Sequence, residues 1–181
     1  MKSVATLLFA IWALVVGTST QILAQTVEPS AVGLWAQSYD GRDQLWLLIR
    51  ERNGLYEGAV AKLFFRPDED HNPICARCTG EQKDQPVLGL TIVSGMVRKG
   101  LTYNDGSVLD PRDGMSYRAM MEISGLEISG DGNALVLRAR LGVHSHSQVF
   151  RRLPDSALPV ADMPPNLRPG HVPAPGPTPR N

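Results

Sequence analysis

Between Ala31 and Leu153 short runs of alternating apolar and polar residues follow one another, with only tight-turn sequences between them and no long helical periodicity. Met115, Tyr117, Ala119, Met121 and Ile123 alternate with Ser116, Arg118, Met120, Glu122 and Ser124, a period of two with one slip at Met120. Leu135, Leu137, Ala139 and Leu141 repeat the device against Val136, Arg138 and Arg140. Residues 44–51 carry apolar side chains on both faces, Arg52-Asn53-Gly54 tolerates left-handed backbone, and 55–65 follows as the partner of a hairpin. Asn104-Asp105-Gly106, Asp110-Pro111-Arg112-Asp113-Gly114 and Gly130-Asp131-Gly132-Asn133 read as further turns. Residues 87–96 stay open between a bulged strand and a short turn of helix, since Gly89 and Gly95 argue against a longer one. Short strands joined by tight turns make a meander, and a meander of eight or more strands closes on itself. The expected fold is all-β: a closed antiparallel up-and-down barrel over residues 32–153, forming one domain.

The two ends of the chain differ from this middle. Lys2 precedes an apolar run over residues 4–16 that is broken only by Thr6 and too short to span a bilayer. Ile22-Leu23-Ala24 then offers the small residue a signal peptidase requires, so residues 1–24 are expected to be a signal peptide and 25–31 a linker. The protein is expected to work in a periplasm or outside the cell, and no later segment reaches membrane-spanning length. Nine of the fourteen prolines fall between Pro154 and Pro179, so residues 154–181 are expected to form a disordered proline-rich tail. Acidic and basic residues balance at 18 each, which leaves no global field to recruit nucleic acid. Oligomeric state is not legible.

Cys75 and Cys78 are the only cysteines, three positions apart. In an oxidising space they are expected to form a disulfide that pins residues 66–86. Two other readings exist. A redox pair needs a lowered thiolate pKa that nothing nearby supplies, and a zinc site could recruit Asp68, Asp70 and His71 beside the two thiolates.

Several blocks resemble one family. Gly33-Leu-Trp35, Tyr56-Glu-Gly58-Ala-Val60-Ala-Lys62-Leu63, Cys75-Ala-Arg-Cys78-Thr-Gly80, Pro86-Val-Leu-Gly89-Leu90-Thr-Ile92-Val-Ser-Gly95-Met96 and Gly106-Ser-Val-Leu109-Asp110-Pro111-Arg-Asp-Gly114-Met-Ser-Tyr117 stand in order over residues 32–152. Together they resemble the domain of unknown function 2147 family of exported bacterial proteins. The resemblance implies a lipocalin-like barrel and brings no established activity with it. Gly33-x-Trp35 also resembles the opening signature of lipocalins, in which a tryptophan on the first strand closes one end of the barrel. The departure falls late, where His144-Ser-His146-Ser-Gln148-Val-Phe150-Arg151 replaces an apolar or small stretch ending in tryptophan.

Candidate ligand-binding residues follow from the barrel reading. An enclosed cavity would be lined by strand aromatics and a few polar groups, and Trp35, Trp46, Tyr56, Lys62 and Tyr117 are the expected set. His144 and His146, two apart on a strand, share one face with Gln148 and Phe150 and either line that cavity or decorate a solvated surface. No catalytic residue, cofactor or metal is expected: Ser94 lacks a nucleophile elbow, and Asp110 and Asp113 frame a turn. Enzymatic activity thus finds no motif. The leading expectation is binding of a small apolar molecule, and the alternative is a filled barrel acting through its surface, with the tail as tether. N-terminal sequencing of protein exported by its host should start at Gln25; a chain still beginning at Met1 would show that residues 1–24 are retained as an anchor.

Overall fold

The computed structural model describes residues 28–124 and 133–171. The expected signal peptide and the 130–133 turn, except Asn133, lie outside the described residues, as does the end of the tail from 172. Eight strands follow in chain order: β1 (Gly33–Tyr39), β2 (Arg42–Arg52), β3 (Leu55–Leu63), β4 (Thr91–Lys99), β5 (Thr102–Asp110), β6 (Met115–Ser124), β7 (Ala134–Leu141) and β8 (His144–Leu153). Each pairs antiparallel with the next, and β1 pairs with β8 through Leu34–Leu153 to Gln37–Phe150, which closes an up-and-down barrel. The expected fold class is therefore the observed one. Among the described residues no helix is long and apolar enough to cross a membrane.

Turn chemistry explains most of the register. Asn53 and Gly54, both at positive φ (54° and 78°), make the two-residue turn between β2 and β3. Residues 111–114 turn β5 into β6. The ambiguous segment resolves as a turn over residues 87–90 that leads into β4, a strand with a bulge at Gly95 (φ 68°). One expected turn is corrected: Asn104-Asp105-Gly106 lies within β5, where Asp105 (φ 65°) is the extra residue of a bulge between Tyr103 and Gly106. A loop tip and a bulge demand the same left-handed backbone, so the local sequence does not separate them.

The alternation of each strand sends one set of side chains into the barrel. Trp35, Leu47, Ile49, Val60, Val93, Met96, Tyr103, Met121, Leu135 and Phe150 are all under 2% exposed and belong to one cluster. Cys75 and Cys78 join that cluster. They are disulfide-bonded, as expected, with Cα atoms 5.3 Å apart. The long loop between β3 and β4 folds back on itself through an Ile74–Pro86 bridge, with the Cys75 amide donating to the Gln85 carbonyl at 2.8 Å. It docks on the β5–β6 turn, where a Cβ on Gly114 (φ 74°) would collide with the Arg77 carbonyl and the Cys78 amide.

A second core lies outside the barrel, and it overturns the expectation for the chain's end. From Pro154 to His171 the proline-rich segment is not disordered but forms three 3-10 turns (Asp155–Ala157, Val160–Asp162, Pro165–Leu167). Leu158 and Leu167 from this strap pack with Leu34, Ala36, Ala59, Ala61 and Leu153 on the outer face of β1–β3. Asn166 fastens the strap by donating to the Gly89 carbonyl at 2.9 Å. Proline forbids sheet and helix here but suits 3-10 turns and extended links, and three spaced apolar residues suffice to anchor the path. Leu167→Ala should therefore cost about 2 kcal/mol or more, read from chemical denaturation. Truncation after Leu153 should lower the midpoint further by exposing Leu34, Ala36, Ala59 and Ala61. Unchanged denaturation of both variants would refute a docked strap. Gly114→Ala should loosen the disulfide loop and speed proteolysis within residues 66–86, whereas breaking the disulfide alone should cost only about 2 kcal/mol by loop-closure entropy.

Candidate functional site

Exposure of the inward-facing side chains changes along the barrel axis. At the end where residue 28 enters, here the base, the interior is sealed. The Trp35 indole Nε1 donates to the Ala31 carbonyl at 2.7 Å, while the Ala31 amide donates to the Tyr103 hydroxyl at 2.8 Å. Arg152 lies 4.1 Å over the Trp35 ring and donates to the carbonyls of Ser30 and Val32. Burial works against its charge and lowers its pKa. Tyr56 meets Tyr103 edge-on at 4.8 Å and donates to Glu51 at 3.0 Å; burial first, then Glu51, raises its pKa. Ala31, assigned to a linker by sequence, is fully buried as part of this plug.

At the opposite end, the mouth, inward positions remain half-exposed. Leu45, Leu63, Val108, Tyr117, Ala139 and Gln148 are the partly exposed positions at this end. A row of small side chains crosses this part of the sheet: Gly106 pairs with Ala119, Ala119 with Ala139, and Ala139 with His146. Met96 occupies the space above Gly106. The rim is polar. Tyr117 donates to Asp113 at 2.5 Å, and that hydrogen bond chiefly raises the phenol pKa. Arg112 donates to both oxygens of Asp110 and holds its carboxyl below the ordinary range, with a smaller contribution from His146.

The residues expected to line a cavity do not form one set. Trp35 and Tyr56 belong to the packed base and Tyr117 to the partly exposed mouth. Trp46 and Lys62 are on the outside, which corrects their assignment to the interior. A bulge opposite Trp46 and Leu47 lets Ala61 stand as the extra residue, so Lys62 pairs with Trp46 on the outer face and its ammonium sits 4.6 Å over the indole. His144 and His146 share the inward face with Gln148 and Phe150, as their spacing requires, and are exposed where that face reaches the mouth.

The zinc reading loses its donors to other partners. The cysteine sulfurs are bonded to one another, Asp70 caps the Asn72 amide at 2.9 Å, and His71 stacks on Phe65 with centroids 5.1 Å apart. Among the described residues no three His, Cys, Asp or Glu side chains converge.

Sequence reasoning missed a second concavity of about 550 Å³, between the strap and the outer face of β1–β2. Leu34, Leu48, Leu158, Met163 and Leu167 supply apolar walls, and Arg50, Arg52, Arg152 and Arg168 border it. The available signal was the apolar character of both faces of residues 44–51, which requires a cover on each side.

Comparison with known proteins agrees with this architecture. No curated protein matches the chain. A solved structure, described as protein HP1028 from the human pathogen Helicobacter pylori and assigned there to the lipocalin family, is similar with a TM-score of 0.55 at 13% identity, covering 71% of this chain and 86% of that one. That likeness shows a lipocalin-like fold. Residues 33–152, which span all eight strands but for the last residue of β8, match the family model described as "Uncharacterized protein conserved in bacteria (DUF2147)", and the chain belongs to that family.

Proposed function

We propose that the barrel holds a small apolar or amphipathic molecule in the cup at its mouth, as a non-catalytic binding protein of an exported compartment. The observation that carries this reading is the exposure gradient: inward side chains are fully buried at the base and half-exposed at the mouth. The packed base gives a rigid floor, Ala119 and Ala139 give room above it, and Tyr117, Gln148 and His146 give polar edges to orient a ligand. Concave apolar surface with a few polar groups at its rim is what small-molecule recognition requires. The same gradient limits the ligand to partial enclosure, since Trp35, Tyr103 and Phe150 occupy the space a deep cavity would need.

A filled base also supports a second reading, in which the protein acts through its surface. The strap runs docked to His171, so a tether could begin only beyond that residue.

Titration with a neutral apolar fluorophore such as N-phenyl-1-naphthylamine separates the two. The native chain should enhance its emission, and Ala139→Phe, which fills the cup from a half-exposed position, should weaken binding about tenfold, or about 1.4 kcal/mol, with an unchanged melting curve. No response from the native chain, or equal binding by the variant, would sink the cup reading and leave the surface module.

A further inference from the structure

The groove under the strap carries more positive charge than its own carboxylates neutralise. Glu57 serves two arginines, Arg50 at 3.4 Å and Arg52 at 3.0 Å. Among the described residues Arg168 has only the carbonyls of Met163 and Ala161, both at 3.1 Å, and Arg152 has carbonyls, the Trp35 ring and a longer-range attraction to Asp155. Four guanidiniums therefore share two carboxylates. Arg50 shows the imbalance most directly: its Nε is buried with no acceptor among the described residues. Burial, then the neighbouring Arg52, pulls its pKa down, so a negative charge brought to it would relieve both. A buried donor without a partner is costly, and here it belongs to a side chain that borders the groove.

Apart from Asp155 and His171, the rest of the groove lining is apolar or glycine. Leu34 and Leu48 form the barrel wall, Met163 faces them from the strap, and the volume of about 550 Å³ falls within the range of small-molecule sites. We propose that this groove binds a single-chain anionic amphiphile, its carboxylate head on Arg50, Arg52 and Arg168 and its chain along Leu34, Leu48 and Met163. Guanidinium forks match a carboxylate in two-point geometry, and a cationic border beside an apolar wall selects a ligand that has both parts. The site lies outside the barrel at the base end, independent of the cup at the mouth.

Titration of the strap-bearing chain with decanoate below its micellar concentration tests the assignment, by calorimetry and by methyl shifts of the leucines. Decanoate should bind, shift Leu34 and Leu48, and weaken with added salt. Arg50→Gln with Arg168→Gln should weaken it about tenfold or more. Decyl maltoside, which lacks the charge, and acetate, which lacks the chain, should each bind at least about tenfold more weakly than decanoate. Ala139→Phe should leave decanoate binding unchanged, so failure of the cup reading is distinguishable from failure of this one. Arg168→Gln alone, on an exposed strap residue, serves if the double variant does not fold. Equal decanoate affinity in native chain and arginine variants, equal affinity for decyl maltoside, or loss of binding in Ala139→Phe would each overturn the assignment.

Discussion

The indole of Trp35 must find an acceptor once it is buried, and the way it does so organises the base of the barrel. Its partner is the carbonyl of Ala31, which draws the segment before β1 across the barrel end. The amide of the same residue donates to Tyr103 on β5, on the far side of the barrel, so one peptide-length of chain bridges the base. Arg152 completes the plug by stacking on the indole and capping the carbonyls of Ser30 and Val32. A half-buried guanidinium is held most favourably when its donors are satisfied and its charge is compensated, here by carbonyl oxygens and the face of an aromatic ring. The plug thereby fixes the depth of any cup: whatever the mouth admits stops above Tyr103 and Phe150.

The same strand that supplies Arg152 leads directly into the strap. Leu153 faces out and belongs to the second core, and the chain then turns along β1–β3 instead of leaving the surface. Strands β1 to β3 are thus buried on both faces, which accounts for Leu34, Ala36, Ala59 and Ala61 at outward positions where an ordinary barrel would place polar residues. By contrast, β6 and β8 keep Arg118 and Arg151 on their outer faces and need no cover. Asymmetric covering creates the groove, because a strap held at Leu158 and Leu167 cannot seal every gap along a twisted sheet.

The barrel was legible because period-two patterning is a local property. Residues 115–124 and 134–141 declare their faces without reference to the rest of the chain. Register is not local, and the misplaced residues fail for that reason: one extra residue at Ala61 sends Lys62 outward, and one at Asp105 turns an apparent loop into a bulge. Trp35 and Tyr56 lie inside the packed core, and sequence cannot say whether an inward aromatic lines a space or fills it. The strap was hidden by its composition. Proline count argues against strands and helices and says nothing against 3-10 turns, so the informative residues were Leu158, Met163 and Leu167 between the prolines.

An eight-stranded barrel has an interior about as wide as its side chains can fill, so whether it holds a ligand is decided by side-chain size at each level along the axis. At the base that choice runs to Trp, Tyr and Phe, and the barrel is solid. Nearer the mouth it runs through Gly106, Ala119 and Ala139, small residues paired in a row across β5, β6 and β7. Histidines that displace an apolar ending at the last strand lie where this row reaches solvent, with His146 directly across from Ala139. Small residues and exposed imidazoles at one level add nothing to the stability of a closed sheet, since each small residue forgoes the burial a larger one would bring. Forgoing that burial at the mouth, while saturating it at the base, is the asymmetry on which the proposed binding at the mouth rests.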